Sequence, residues 1–341
     1  MFTNSTPQPE LAVPWSQPGW LDAASTWILA QLDALGTPAS GPIEQPHVRS
    51  WSTVLRVPTA DGRVYFKATA PVLIHEPAVT AALAGWRPDL MPRVLATDPA
   101  QGWMLLADAG PTLRSQMTGV ADLHHWYTLL PQYAELQIEM IPHAAELLAL
   151  GALDRRLAGL PAQIEALLED ADMLCIGEPD GLTPEQLQRL HNLMPRYAEL
   201  CAELAAFDLP ETLHHEDFHD ANIFASDGRY VFFDWGESGV AHPFFSMLVT
   251  LRGIAYRLDL ADDAPELDRL RDAYLEPWTA YAPHDELVRA CRLATRVAMP
   301  ARALTWHRVL SVLNADARRE DADAVPGWLM EFLDAQARAV D

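Results

Sequence analysis

The chain has 341 residues, half of them hydrophobic, which allows a substantial core and two or three domains. Its 47 acidic and 24 basic side chains give a net charge of −23, which argues against a nucleic acid or an anionic membrane as partner, since both need clustered Lys and Arg. No apolar run reaches bilayer-spanning length, and the opening MFTNSTPQPELAVPWSQPGW lacks the basic and apolar regions of a secretory signal, so a cytoplasmic location is expected.

The Pro- and Ser-rich stretch to about Pro18 is expected to be loosely held, and a short helix follows from Leu21 to Leu35. A β region comes next, with Thr53 to Val57, a Pro-Thr-Ala-Asp-Gly turn, and Arg63 to Ala68. Alternation in the second strand sets Val64, Phe66 and Ala68 on one face and Arg63, Tyr65 and Lys67 on the other. Lys67 is the one lysine beside 23 arginines. Where Arg serves for every generic positive charge, a surviving Lys marks a place that needs a compact ammonium.

Glu76 to Trp86 reads as a helix, with Pro77 in its first turn and Gly85 near its end. Strand-like pieces from Arg93 to Ala96 and from Trp103 to Leu106 complete a small sheet, and Ala107-Asp-Ala-Gly-Pro111 breaks the pattern as a linker does. Charge divides the chain at the same place: 8 acidic and 6 basic residues up to Ala107, 39 and 18 beyond it. Two differently built regions are expected, residues 1–107 and 108–341.

The second region reads as mostly helical. Apolar spacing runs through Trp126, Leu130, Tyr133, Leu136 and Met140. Another helix opens with Thr183 as N-cap, Pro184 at its first position, Gln186 closing a capping box and Leu182 stapling onto Leu187. Further helices are expected over Phe244 to Leu258, Pro265 to Tyr281, Asp285 to Leu313 and Val325 to Val340. Cys175, Cys201 and Cys291 form no CxxC pair and read as buried reduced thiols.

One β island interrupts the helices: Asn222 to Ser226 and Arg229 to Asp234 flank Asp227-Gly228, a two-residue hairpin turn. In that register Ser226 faces Arg229 and Asn222 faces Phe233, so Asn222 and Asp234 lie side by side within about 6 Å by backbone spacing. Strict alternation would send their side chains to opposite faces, and convergence requires a bulge or an end that leaves regular pairing. Just upstream lies His214-His-Glu-Asp-Phe-His-Asp220. Phosphoryl transfer from ATP needs a carboxylate and a carboxamide for Mg²⁺, a carboxylate to orient the hydroxyl and take its proton, and a cation on the phosphates. Asp234, Asn222, Asp217 and Lys67 are those residue types.

His215-x-Asp217-x-x-x-x-Asn222, followed by Phe233-Asp234-Trp235, resembles the catalytic loop and metal segment of the aminoglycoside phosphotransferase and choline kinase-like family, a relative of the protein kinases. Phe66-Lys67-Ala68 and Glu76 are similar to that family's nucleotide lysine and its ion-pair partner. The resemblance implies an α+β, bilobal protein-kinase-like fold: residues 1–107 form a small β-rich nucleotide-binding lobe and residues 108–341 a larger, mostly helical catalytic lobe. It implies ATP and Mg²⁺ as cofactors and transfer of the γ-phosphate to a hydroxyl of a small molecule. Carried over residue by residue, Asp217 is the base, His215 braces the loop, Asn222 and Asp234 hold Mg²⁺, and Lys67, fixed by Glu76, meets the α/β-phosphates. Met104 to Ala107 would form the hinge, with backbone groups of Leu105 and Ala107 on the adenine.

Three departures stand out. No glycine occurs between Gly41 and Gly62, so Arg49-Ser-Trp-Ser52 is the substitute for a Gly-rich phosphate loop and Ser52 a candidate nucleotide contact. Glu216 stands where the family usually has Gly, and Ser246 near where it commonly has Asp. Two other readings stay open: a kinase-like binding module without turnover, and a metal-dependent hydrolase using His214, His215 and His219. Asp154-Arg155-Arg156 reads as charge at a helix junction rather than a substrate wall. The acidity of the second region fits either attraction of a cationic substrate or a solvated surface.

Overall fold

The computed structural model describes residues 13–338. In chain order the elements are α1 (Trp20–Ala34), β1 (Glu44–Val48), β2 (Ser52–Thr59), β3 (Gly62–Thr69), α2 (Glu76–Trp86), β4 (Val94–Asp98), β5 (Trp103–Ala107), α3 (Leu123–Glu139), α4 (Ala144–Ala149), β6 (Leu153–Arg155), α5 (Leu160–Leu168) and α6 (Pro184–Ala205). There follow β7 (Thr212–His214), β8 (Ile223–Ser226), β9 (Arg229–Phe232), β10 (Gly239–Ala241), α7 (Ser246–Leu258), α8 (Pro265–Leu275), α9 (His284–Leu310), α10 (Ala315–Arg318) and α11 (Ala324–Arg338). This is the α+β, bilobal arrangement of the protein-kinase-like fold: an antiparallel sheet of order β1-β2-β3-β5-β4 followed by a mostly helical part.

The sheet uses its two faces for different ends. Leu55, Val57, Phe66, Ala68 and Leu105 are buried on one face against Ala24, Ile28 and Leu32 of α1. The residues between them point the other way: Val54 pairs with Lys67 and Lys67 with Met104, so all three share the opposite face. Helix α2 does not join the core of the sheet. Val79 and Leu83, with Leu90 and Met91 after it, are buried in the large core of the helical part.

The expected N-terminal looseness falls partly on residues 1–12, which lie outside the described residues. From Val13 on the chain is tied down: Trp15 Nε1 donates to the Arg49 carbonyl at 2.9 Å, and its ring meets Trp20 edge-on. The helix expected over Pro265 to Tyr281 stops at Leu275, because Pro277 lacks the N–H that would continue it, and a 3₁₀ turn follows. The end of the last expected helix, at Val340, lies outside the described residues. Cys201 and Cys291 are buried thiols, whereas Cys175 is only half-buried. Among the described residues no helix is long and apolar enough to cross a membrane.

Sequence periodicity gave no sign of a second sheet, β6-β10-β7, because its three-residue strands are too short to alternate visibly. β7 delivers the chain to the acidic segment expected to be catalytic. β8 and β9 form the anticipated hairpin, with Ser226 opposite Arg229 and Ile223 opposite Phe232.

Candidate active site

The loop between β7 and β8 is pinned from below. Phe218 is fully buried and stacks on Tyr133 of α3 with ring centroids 3.9 Å apart, and Thr250 of α7 donates to the Phe218 carbonyl at 2.8 Å. Ser246, where an aspartate was the family expectation, bonds Tyr133 Oη at 2.7 Å and His214 Nδ1 at 2.8 Å. Tyr133 Oη in turn accepts the His215 N–H at 3.0 Å. Anchoring of the loop is thus kept by a serine and a tyrosine instead of a carboxylate.

His215 ties the loop to the hairpin. Its Nε2 donates to the Phe233 carbonyl at 2.9 Å and its Nδ1 accepts the Asp217 N–H at 3.2 Å, a pairing that demands the neutral ring. Burial supports this by lowering the ring's pKa to about 4. Asn222 donates to the Asp217 carbonyl at 3.0 Å and to Oδ2 at 3.3 Å, while its own carbonyl accepts the Phe233 N–H at 3.1 Å, the register read from the turn. Regular pairing ends there. Asp234 takes a left-handed conformation, φ 70° and ψ 58°, which an Asp tolerates better than most residues and which re-aims its side chain.

That turn brings Asp234 to the lone lysine. Lys67 Nζ lies 2.6 Å from Asp234 Oδ1 and 2.6 Å from Glu76 Oε1. Burial works against the ammonium, but the two carboxylates outweigh it and hold the pKa of Lys67 above the ordinary lysine value. Glu76 is fully buried, and burial pushes its carboxyl up while Lys67 pulls it back. Gly236 lets the chain pass beneath, since a side chain there would come within 3.0 Å of Glu76 Oε2.

Asp217 is held on both oxygens. Arg302 Nη2 of α9 lies 2.9 Å from Oδ1, and His219 Nε2 lies 3.0 Å from Oδ2. Burial opposes the anion, yet Arg302 first and His219 next keep its carboxyl below the usual range. The guanidinium also reaches Glu237 Oε2 at 2.6 Å and Glu216 Oε2 at 3.6 Å. Glu216, the departure from glycine, is therefore a buried partner of Arg302 and of His214, whose Nε2 is 3.5 Å away. Nothing in the sequence marked Arg302 or Tyr133.

Ser52 lies buried at the start of β2, opposite Thr69 and on the face that carries Lys67. Leu105 and Ala107, expected at the hinge, are instead inside the ladder: Leu105 turns into the core of the sheet and the Ala107 N–H is donated to Arg93 O at 3.0 Å. β5 runs one residue longer than its apolar pattern, so the backbone leaves the sheet only at Asp108. The three histidines are committed to Ser246, Phe233, Asp217 and Glu216, and among the described residues no group of three or more His, Cys, Asp or Glu is placed to hold a metal ion. Arg155 is buried and bonds Gln163 at 2.6 Å, while Asp154 pairs with Arg156 at 2.7 Å on the surface.

The model of the phosphotransferase enzyme family matches residues 52–287, from the start of β2 into α9. The chain belongs to this family. It is a small-molecule phosphotransferase, and Lys67, Asp217, Asn222 and Asp234 all fall inside the matched stretch. The fold is shared with an ethanolamine kinase of Plasmodium vivax, at 11% identity and TM-score 0.65 over 95% of this chain and 90% of the other. A choline kinase of Cryptosporidium parvum Iowa II superposes with TM-score 0.62 at 12% identity, covering 95% and 93%. A putative aminoglycoside phosphotransferase of Ralstonia eutropha JMP134 gives 0.60 at 16%, covering 93% and 98%. No curated protein matches the chain.

Proposed function

We propose that this phosphotransferase uses ATP and Mg²⁺ to phosphorylate a hydroxyl of a small molecule that carries a cationic group. The observation that carries the reading is the 2.6 Å approach of Lys67 to Asp234, which joins the only lysine of the chain to a motif 167 residues away. A phosphate-binding ammonium and a metal-binding carboxylate have to be neighbours in a site for a nucleotide triphosphate.

The donor set suits the metal. Asn222 spends its amide N–H groups on Asp217, and among the described residues neither its amide oxygen nor Asp234 Oδ2 has a hydrogen-bond donor. A carboxamide oxygen and a carboxylate are hard donors of the kind Mg²⁺ takes, with phosphates and water completing its shell. When bound, the ion would neutralise charge on the β- and γ-phosphates. Lys67 would offset charge on the α- and β-phosphates, and Ser52 is placed on the same face to meet them. The adenine edge would meet backbone beyond Ala107, where the ladder ends. Asp217, kept anionic, would orient the acceptor hydroxyl and take its proton as the oxygen bonds the γ-phosphorus and ADP departs.

The cationic part of the reading rests on a cavity of about 570 Å³ lined from the β1–β2 connection and from α9. Trp15, Trp51 and Trp306 line it, and its charged residues are Glu320, Asp321 and Arg49. Indole faces attract ammonium groups, and a surplus of carboxylates adds to that attraction. Its tie to the candidate site is Trp306, whose ring centroid lies 5.7 Å from the guanidinium carbon of Arg302, the partner of Asp217. A cytoplasmic location, where ATP is supplied, goes with this reading.

The test is ADP release from Mg·ATP with choline, aminoglycosides, homoserine and sugars as acceptors. Asp217→Asn should cut turnover by about 1,000-fold while ATP still binds; equal loss of nucleotide affinity would contradict the role given to Asp217. Choline should outperform its uncharged isostere 3,3-dimethylbutan-1-ol by about tenfold in kcat/KM, and parity would remove the cationic subsite. A chain that binds ATP but releases no ADP with any acceptor would instead be a binding module.

A further inference from the structure

Arg302 is buried in the middle of α9 between Ala301 and Ala303, 5% exposed, and lies beyond the stretch shared with the phosphotransferase family. Burying a guanidinium costs several kcal/mol unless carboxylates surround it. Three do: Asp217 at 2.9 Å, Glu237 at 2.6 Å and Glu216 at 3.6 Å. Asp217 keeps 31% of its side chain exposed, so offsetting its burial is not all that the arrangement does. What the arrangement supplies is geometry. With Oδ1 on Arg302 and Oδ2 on His219 and Asn222, the carboxylate cannot rotate about its last torsion without breaking a bond on each side.

We propose that Arg302 is the positioning residue for Asp217, and that Glu237 and Glu216, the latter replacing a glycine, are retained to hold its planar fork in place. The inference rests on the phosphotransfer reading above, because it assigns Asp217 to the acceptor hydroxyl. A planar fork fixes two carboxylates at once, one through each terminal nitrogen; an ammonium at the same place is a single point of charge and fixes neither plane. Arg302, Glu237 and Glu216 form a three-residue unit that orients the base.

The experiment measures ADP release from Mg·ATP, with water alone and with choline added, for the full chain and its variants. Arg302→Ala should lower kcat by about 100-fold with KM for ATP and affinity for the ATP analogue AMP-PNP changed less than about twofold. Guanidinium chloride at about 20 mM should restore kcat severalfold in this variant and do nothing for Asp217→Asn. Arg302→Lys should fall between the wild type and Arg302→Ala. Because Arg302→Ala strands buried carboxylates, a triple variant of Arg302→Ala, Glu216→Gly and Glu237→Gln serves as the folding control. It should melt near the wild type and still lack turnover. The proposal is overturned if Arg302→Ala keeps wild-type kcat, if KM for ATP rises in step with the loss, or if the triple variant regains full turnover, which would make Arg302 a neutraliser of charge only. A wild type that releases no ADP above the Asp217→Asn background with choline, aminoglycosides, homoserine or sugars would remove the phosphotransfer reading and this inference with it.

Discussion

Lys67 and Arg302 act alike in the candidate site, each laying a cation on a carboxylate, at 2.6 Å on Asp234 and 2.9 Å on Asp217. Their origins differ. Lys67 sits on a strand whose alternation fixes its face, and it is the one lysine of the chain. Arg302 sits midway along a 27-residue helix and is one of 23 arginines. A group proposed to meet phosphates has its type dictated by chemistry, so composition betrays it. A group that holds a carboxylate from a neighbouring helix can stand on any turn that faces it, and neither type nor spacing gives it away.

The sharpest way to break this contrast is to exchange the cations. Lys67→Arg should cost about 100-fold in turnover, because Lys67 and Glu76 are buried and the 2.6 Å contacts to Glu76 and Asp234 accommodate an ammonium rather than a wider planar fork. Steady-state ADP release measures it. Wild-type rates in Lys67→Arg would mean that the lysine survives by chance, and its solitude in the sequence would carry no information.

Much of the remaining site divides along the same line. The hairpin turn was legible from Asp227-Gly228, and with it the position of Asn222 opposite Phe233. The meeting of Asp234 with Lys67 was legible only as a requirement, since the left-handed backbone that achieves it leaves no trace in residue type beyond an aspartate. Ser246 looked like a loss because one residue was read against a motif. The carboxylate's task is shared with Tyr133, which comes 113 residues earlier. The strand before the linker was ended one residue too early because strand ends are set by ladder partners such as Arg93, not by the apolar run itself.

A second contrast separates cations that keep their charge from rings that lose it. Lys67 and Arg302 are buried beside carboxylates, whereas His242 is buried beside Phe244 and Phe245, with Nδ1 accepting the Phe244 N–H at 3.3 Å and no partner for Nε2 among the described residues. Burial, with a smaller push from His214, lowers its pKa to about 3. In the unfolded chain the ring would titrate near its ordinary value, about 6.5. Between those values the unfolded state binds the proton and the folded state does not, so this contribution is whole above pH 6.5 and is lost as pH falls. By linkage the loss from pH 7.5 to 4.5 should be about 2–3 kcal/mol. Urea denaturation at the two pH values should show His242→Asn, which keeps an acceptor at the turn, losing that much less than the wild type. An equal loss in both would mean that the ring is charged or solvated in the folded protein.

The smallest expected effect concerns the signal that was easiest to read. Thr183 and Gln186 exchange both bonds of a capping box, Gln186 N–H to Thr183 Oγ1 at 3.1 Å and Thr183 N–H to Gln186 Oε1 at 2.7 Å, at the start of α6. Leu182 and Leu187 flank it, packed on the same large core. The box satisfies two N–H groups that the helix leaves open, and it touches nothing in the cleft. Thr183→Ala should therefore cost about 1 kcal/mol in urea denaturation and leave kcat and KM for ATP unchanged. A change in turnover would show that the helical scaffold is coupled to the site through more than Arg302 and Tyr133. The separation between locally written stability and distantly assembled chemistry would then have to be redrawn.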